Sequence, residues 1–334
     1  MLNCCHDLYY IYSTLKIDMK IINIVISQKY RIRKEVSIMK TDFTIGRSDF
    51  SVTVYVPWNC TNNCKFCSSK KDYEDKKSNF AKLKESLQLI RDSILPIVVF
   101  TGGEPSADVD KLRELLSIVD NKIVYINTSL PKKNCESFIE LVNTTDCVKS
   151  ISISRHKHTY EEDLTILSNI AEDEMITKIT KPVRINVVAQ DDNTFSMESV
   201  EKYVERWSRI AELKGGTNSL ILNLRANYCT QDKHHLHEMT DNKVINDLAS
   251  KYYYRSHTFC NVCDTCVFEK LDDNRKRELI ILYHRGVMNT AVKFANVVEV
   301  NDLIIFQNGD ICYDWDGKNH DISKFLDMIK QKNS

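Results

Sequence analysis

Between residues 51 and 225, short apolar runs alternate with longer amphipathic stretches, and this alternation restricts the possible folds more than any other feature. Each apolar run is rich in Val and Ile and is bounded by polar or turn residues, which is typical of buried strands. We predict six strands, at 51–57, 96–101, 122–127, 149–154, 183–190 and 219–224. Strands that alternate with helices in this way predict an α/β fold with a parallel sheet.

Apolar residues at helical spacing fill the segments between the strands. They are Leu83, Leu87, Ile90 and Ile94 in the first such segment, and Leu112, Leu115, Leu116 and Val119 in the second. Further helices are predicted at 136–142, 160–170 and 197–213. Six strand–helix units could form an open doubly wound sheet or a barrel, complete or partial, and both place ligands at the carboxyl ends of the strands.

The chain has 334 residues, 43% of them apolar, which is enough for one large domain with an appendage or for two ordinary domains. We divide it into an N-terminal extension at 1–44, a core at 45–228 and a small Cys-rich α+β region at 229–334. In the last region we predict a helix at 275–283 and a hairpin that turns at Asn308 and Gly309, because Asn-Gly is a strong turn signal.

Charge and hydropathy limit the partners. Lys+Arg and Asp+Glu both number 46, so no overall field favours nucleic acid or an acidic membrane. No window approaches the ~20 apolar residues of a membrane helix, and the N-terminus lacks the pattern of a secretory signal. Twelve cysteines in a long chain of this kind indicate a reducing compartment. We therefore expect a soluble, cytoplasmic protein.

Six of the cysteines form two triplets with the short gaps that metal ligands have. The first triplet, Cys60, Cys64 and Cys67, directly follows the first predicted strand. Three thiols cannot fill the four iron corners of a cubane cluster, and the iron left open could bind a substrate or cofactor. The alternative is a zinc site with a distant fourth ligand.

Polar or glycine-rich motifs follow the next three predicted strands. They are Gly102-Gly103-Glu104-Pro105, Asn127-Thr128-Ser129 and Ser154-Arg155-His156. Because the carboxyl ends of parallel strands meet at one edge of a sheet, we expect these motifs to converge with the first triplet.

The fifth and sixth predicted strands add further polar candidates. Arg184, Asn186 and Gln190 are separated by even numbers of residues and should share one face of the fifth strand, with Val183, Ile185 and Val187 on the other. Arg225 ends the sixth strand and could bind a carboxylate.

The first triplet, with gaps of three and two residues and Phe66 before its last cysteine, resembles the signature of the radical S-adenosylmethionine superfamily. Gly102-Gly103-Glu104-Pro105, one strand later, resembles the Gly-Gly-Glu motif of that family. The resemblance covers about half of the chain and implies a partial (β/α)6 barrel over 45–228. It also implies an enzyme in which Cys60, Cys64 and Cys67 hold a [4Fe-4S] cluster. The fourth iron would take S-adenosylmethionine, whose reductive cleavage yields a 5′-deoxyadenosyl radical that abstracts hydrogen from a substrate.

The same resemblance implies which other residues contact the cofactor. They are Phe66, Gly102, Gly103, Glu104, Asn127, Ser154, Arg155 and Asn186. Arg155 stands where the family often has an acidic or polar residue, so it either binds a carboxylate of cofactor or substrate or is a solvated loop residue. The resemblance further implies a small-molecule or peptide substrate and a flavodoxin or ferredoxin as electron donor.

The second triplet, Cys260, Cys263 and Cys266, has gaps of two and two residues, and the candidate fourth ligands are Cys312 on the predicted hairpin and Cys229 upstream. It is similar to auxiliary iron–sulfur sites of molybdenum-cofactor and peptide-maturation enzymes, and four thiolates would suit zinc equally well. A non-catalytic zinc or iron–sulfur binding module is therefore the alternative to an enzyme.

Overall fold

The structure is a computed structural model. It describes residues 43–45, 50–60, 62, 64, 67, 76–156, 169–189, 194–216, 219–226, 234–260, 263–286, 291–294, 297–313 and 322–330. Phe66, Gln190, Cys229 and most of the helix predicted at 160–170 lie outside these residues.

The strands and helices are numbered here in chain order. The strands are β1 (Phe43–Ile45), β2 (Ser51–Val56), β3 (Ile97–Gly102), β4 (Ile123–Thr128), β5 (Val148–Ser154), β6 (Val183–Val188), β7 (Leu220–Arg225), β8 (Tyr253–Cys260), β9 (Cys263–Leu271), β10 (Arg277–Gly286), β11 (Ala291–Phe294), β12 (Val297–Val300), β13 (Asp302–Ile305) and β14 (Ile311–Cys312). The helices are α1 (Phe80–Arg91), α2 (Val109–Ile118), α3 (Cys135–Thr144), α4 (Met197–Leu213), α5 (His234–Lys251) and α6 (Ser323–Ile329).

The central sheet has eleven strands, in the order β14-β13-β2-β3-β4-β5-β6-β7-β10-β9-β8. Strands β2 to β7 are parallel and lie side by side in chain order. A doubly wound sheet reverses its strand order at a switch point, and these six strands show no reversal. Since strand–helix–strand crossovers are almost always right-handed, consecutive order puts the connecting helices on one face. The doubly wound alternative is thus excluded, and no closed sheet is formed by the described strands.

The predicted strands of the core agree with β2 to β7 to within two residues at either end. Helices α1 to α4 also lie where the apolar spacing predicts them. Side-chain caps fix the starts of α1 and α2, since Asn79 Oδ1 accepts from the Lys82 amide and Asp108 Oδ1 from the Lys111 amide, each at 3.1 Å.

The helix predicted at 275–283 is wrong, because this segment forms β10. Leu279, Ile281 and Tyr283 join the main core, whereas Ile280 and Leu282 pack on the opposite face of the sheet. A strand buried on both faces is a continuous apolar run, which periodicity alone does not distinguish from a buried helix.

The two faces of the sheet have different neighbours. On one face, alternate residues of β2 to β7 pack against α1 to α4 in the main hydrophobic core. On the other face, the described residues form three small apolar clusters with no helix residue in them, such as Tyr55 with Ile304, Phe306 and Cys312. We call this second surface the helix-free face.

The C-terminal region adds strands to both edges of the central sheet. The β8-β9-β10 meander continues the sheet beyond β7, and β13 pairs in parallel with β2. The predicted hairpin at Asn308 and Gly309 is confirmed, since β13 and β14 pair antiparallel and Gly309 has φ +84°. The separate strands β1, β12 and β11 form a three-stranded sheet. Among the described residues, no helix has both the length and the apolar character needed to cross a membrane.

Candidate functional site

The loops after β2 and β3 are in direct contact, so the first cysteine triplet lies beside the Gly-Gly-Glu motif. Trp58 Nε1 donates to the backbone oxygen of Glu104 at 2.7 Å. A Cβ atom added to Gly103 would lie 1.9 Å from the backbone oxygen of Trp58, which no side chain tolerates. Gly102 has φ +96°, in the left-handed region that favours glycine. Both glycines are therefore needed for this close approach.

The three cysteines of the first triplet lie in the loop after β2, where Cys60 and Cys64 are half-buried and Cys67 is exposed. The Cys67 amide donates to the Cys64 backbone oxygen at 3.2 Å, and the Asn62 amide donates to Cys60 Sγ at 3.3 Å. Burial, then Glu104, then Cys64 and Cys67 raise the pKa of Cys60 to about 12. The Cys60 thiol would therefore have to lose its proton to a metal ion or cluster before it could act as a ligand.

Glu104 is buried, and both of its carboxylate oxygens accept hydrogen bonds from the protein. Oε1 accepts from the Ser106 amide and hydroxyl, at 3.1 and 2.8 Å, and from the Thr128 hydroxyl. Oε2 accepts from the Ser129 amide and hydroxyl, at 2.7 and 2.6 Å. The carboxylate thus joins the end of β3 to the end of β4, and a ligand amino group would have to replace one of these hydroxyls.

The Asn127-Thr128-Ser129 motif does reach the site, but not through Asn127, the residue that the sequence favoured. Thr128 and Ser129 contact Glu104, whereas Asn127 is half-buried on the helix-free face, paired in register with Ser152. The missed signal was the pair of hydroxyl residues directly after the strand, because hydroxyls satisfy a buried carboxylate.

Arg155 is fully buried and has partners inside the protein, which neither sequence alternative anticipated. Its Nε donates to Asp173 Oδ1 at 3.2 Å, and Nη2 donates to the backbone oxygen of Ala171 at 3.1 Å. Nη1 donates to the backbone oxygens of Ser129 and Ser154. The guanidinium therefore connects the ends of β4 and β5, and the solvated-loop interpretation is wrong.

Polar residues of β6 and β7 lie on the helix-free face, and Val183, Ile185 and Val187 lie in the main core, as predicted. Asn223 Nδ2 donates to Asn186 Oδ1 at 2.8 Å, and Asn186 is paired in register with Ser154. Two residues further along β7, Arg225 is paired in register with Val188 of β6 on one side and with His284 of β10 on the other.

Arg184, Arg225 and His284, named here the basic cluster, influence one another electrostatically. Burial and then Arg225 lower the pKa of Arg184 to about 9. Burial, Arg225 and Arg184 lower the pKa of His284 well below its usual 6.5. Among the described residues, neither ring nitrogen of His284 has a hydrogen-bond partner, nor do the buried Asn223 Oδ1 and Thr265 Oγ1. His284 was missed because the residues before it, 275–283, were predicted to be a helix, whereas they belong to the strand that carries it.

The second triplet is not brought together with Cys312. Cys260 and Cys263 are opposite each other in the strand register of the β8-β9 hairpin, and Cys266 is buried further along β9. Cys312 lies on β14, at the opposite edge of the sheet, in the cluster with Tyr55, Ile304 and Phe306. The prediction of Cys312 as fourth ligand is therefore corrected, because the hairpin that carries it pairs with β2.

The fold and the site define an α/β protein with a consecutively ordered parallel sheet and three free cysteines in the loop at the carboxyl end of β2. Comparison with protein-family models gives no match, and comparison with curated proteins gives none either. The functional assignment therefore rests on the residues of this chain.

Proposed function

We propose that the chain is a radical S-adenosylmethionine enzyme, in which Cys60, Cys64 and Cys67 hold a [4Fe-4S] cluster with one open iron. The observation that supports this proposal is the contact between Gly103 and the Trp58 backbone, because it brings the Gly-Gly-Glu motif beside the loop whose cysteines would hold the cluster. When bound, the cluster would supply the electron that cleaves S-adenosylmethionine into methionine and a 5′-deoxyadenosyl radical. The substrate would be a peptide or a small metabolite, and the electron donor a flavodoxin or ferredoxin.

The proposal includes a sheet that curves into a partial (β/α)6 barrel. Its support is the burial of polar residues on the helix-free face, where Thr53 and Asn223 are 0% and 2% exposed. The clusters of that face contain no helix residue among the described ones. A flat sheet would leave such a face in water, whereas a curved sheet covers it with its own side chains.

The chain's own residues would prepare the site before any radical forms. The Asn62 amide orients Cys60 Sγ, whose proton must be lost before the sulfur can bind iron. Glu104 holds the hydroxyls of Thr128 and Ser129 at the rim, and Ser129 is only half-buried. Exchange of the Ser129 hydroxyl for a ligand amino group would leave the carboxylate fully hydrogen-bonded.

The basic cluster suits an oxyanion, either the carboxylate of the cofactor or an acidic group of the substrate. Arg225 is almost fully buried and Arg184 is partly buried. An oxyanion between the two guanidinium groups would offset the repulsion between them, and a neutral His284 could donate one N–H to it. S-adenosylmethionine and its decarboxylated analogue distinguish the two sources. If the oxyanion is the carboxylate of the cofactor, Arg225→Gln should weaken the binding of S-adenosylmethionine and leave the binding of the decarboxylated analogue unchanged.

The experiment that tests the proposal is anaerobic reconstitution with iron and sulfide. About four irons per chain should bind at the first triplet, and S-adenosylmethionine should change the electron paramagnetic resonance spectrum of the reduced cluster. Cys64→Ala should lose this signal, whereas Cys147→Ala, which alters a buried cysteine of the main core, should keep it. An unchanged signal in Cys64→Ala would rule out the proposed ligand set.

A non-catalytic zinc-binding module is the second candidate. The observation in its favour is that five donor groups of the protein already hydrogen-bond the Glu104 carboxylate. This carboxylate therefore needs no amino group of a cofactor as a partner. This candidate predicts that anaerobically purified protein is colourless and binds zinc stoichiometrically at Cys60, Cys64 and Cys67.

A further inference from the structure

The hairpin of β8 and β9 brings three different metal-binding side chains together. His257 and Cys266 are directly opposite each other in the strand register, and Asp264 is two residues before Cys266 on the same strand. One ring nitrogen of His257, a carboxylate oxygen of Asp264 and Cys266 Sγ all lie within 4.8 Å of one another. This grouping is independent of Cys60, Cys64 and Cys67.

The carboxylate of Asp264 is oriented from both sides. Oδ1 contacts His257 Nε2, whereas Oδ2 is bound by Arg285 Nη2 from the neighbouring strand β10. Metal-binding carboxylates commonly have one oxygen on the ion and the other held by an outer partner, and Arg285 provides such a partner.

Cys266 is a buried residue beside the Asp264 carboxylate, with 4% of its surface exposed. A divalent ion between the two residues would balance the charges of the carboxylate and of the thiolate.

We propose that His257, Asp264 and Cys266 bind a single zinc-like divalent ion through one nitrogen, one oxygen and one sulfur. This mixed set suits Zn²⁺, and it leaves a fourth position for water or another ligand. Tetrahedral zinc bonds would place the three ligand atoms about 3.3–3.6 Å apart. Binding would therefore require Asp264 Oδ1 to move away from His257 Nε2, which it contacts here.

The site gives the second triplet a different role from that predicted by its spacing. Cys266 takes part as one thiolate beside a histidine and a carboxylate, and Cys312 takes no part. The sequence does contain His257, nine residues before Cys266. Only the pairing of β8 with β9 shows that the two residues lie opposite each other.

The test is a Co²⁺ titration of the full chain that carries Cys60→Ala, Cys64→Ala and Cys67→Ala, so that the proposed cluster site does not bind. We expect one equivalent of Co²⁺ with a thiolate-to-cobalt charge-transfer band, and Zn²⁺ should displace it. His257→Gln should weaken Co²⁺ binding at least about tenfold. Cys266→Ser should abolish the charge-transfer band.

Tyr253→Gln is the matched control for His257→Gln, because Tyr253 is exposed on the same edge strand. It should leave the Co²⁺ affinity unchanged. His257 is itself exposed, so its variant is expected to fold, which circular dichroism can verify. The proposal is overturned if Co²⁺ does not bind, if His257→Gln binds it as tightly as the parent, or if the triple variant assembles an iron–sulfur cluster here that survives His257→Gln.

Discussion

Gly103 controls how closely the Gly-Gly-Glu loop approaches the cysteine loop. In Gly103→Ala, the added Cβ would meet the Trp58 backbone oxygen at 1.9 Å, and backbone cannot move aside as a flexible side chain does. We expect the variant to fold but to bind less than about a tenth of the parent's iron, a loss in the range that misplaced metal ligands produce. Iron and sulfide analysis after reconstitution measures it.

Gly215→Ala is the control for this substitution. Gly215, unlike Gly103, has a positive φ, and no atom lies within 4 Å of the position of its added Cβ. Its variant should lose about 1–2 kcal/mol of unfolding free energy to backbone strain and retain normal iron content. Normal iron content in Gly103→Ala would show that the contact with Trp58 is dispensable.

His284 is a buried base whose two ring nitrogens lack partners among the described residues. Replacement by Leu should raise the unfolding free energy of the ligand-free protein by about 1–2 kcal/mol, because an unsatisfied buried polar group is removed. The same variant should lose the oxyanion affinity assigned to the basic cluster. Chemical denaturation and ligand titration of one sample measure the two effects.

The lowered pKa of His284 gives this prediction a pH dependence. As pH falls below about 6.5, His284 binds a proton in the unfolded chain but remains neutral in the folded chain. The unfolding free energy should therefore fall. In His284→Leu this part of the acid sensitivity should disappear. An identical pH profile in parent and variant would contradict the assignment of a buried neutral imidazole.

At the scale of elements, Asp173 connects the end of β5 to helix α4. Its carboxylate binds Arg155, which is fully buried, and Arg206, whose side chain is 39% exposed. Asp173→Asn should cost about 3–5 kcal/mol of unfolding free energy, because a buried guanidinium loses its charged partner. Arg206→Gln should cost less than about 1 kcal/mol, since its charge remains largely in water. Urea denaturation compares the two variants.

If Asp173→Asn fails to fold, the double variant Arg155→Met, Asp173→Leu separates the causes. Apolar replacement of both partners should restore folding, since paired removal of buried charges is often nearly neutral. Equal losses for Asp173→Asn and Arg206→Gln would show that burial of Arg155 has no energetic consequence.

The elements of the core were predictable because their local patterns are unambiguous. Val183, Ile185 and Val187 alternate with polar residues, so β6 and the side that enters the core follow from period two alone. The carboxyl-edge location of the triplet and of Gly103 followed for the same reason. The hydrogen bonds of Glu104 could not be predicted in this way, because they depend on side-chain geometry at the ends of β3 and β4. The position of Cys312 could not be predicted either, because β13 joins β2 across about 250 residues.

At the scale of the whole molecule, the C-terminal region completes the sheet beside the cysteine loop. β13 pairs along β2, its residues are buried, and Ser51 Oγ donates to Asp302 Oδ1 at 2.5 Å. Truncation after residue 296 would expose the edge of the strand that leads to Cys60. We expect the truncated chain to lose iron binding and to become sensitive to limited proteolysis, whereas truncation after residue 330 should change neither. Normal iron binding without β13 would contradict this role.

The central claim is that three thiolates hold a cluster whose open iron takes S-adenosylmethionine. The most direct measurement is the formation of 5′-deoxyadenosine by the anaerobically reconstituted, dithionite-reduced full chain, quantified by mass spectrometry. The claim predicts 5′-deoxyadenosine and methionine in equal amounts from the parent protein and from Cys147→Ala, and none above background from Cys64→Ala. Formation of 5′-deoxyadenosine by Cys64→Ala at the parent rate, or its absence from a parent protein that contains four irons, would contradict the claim.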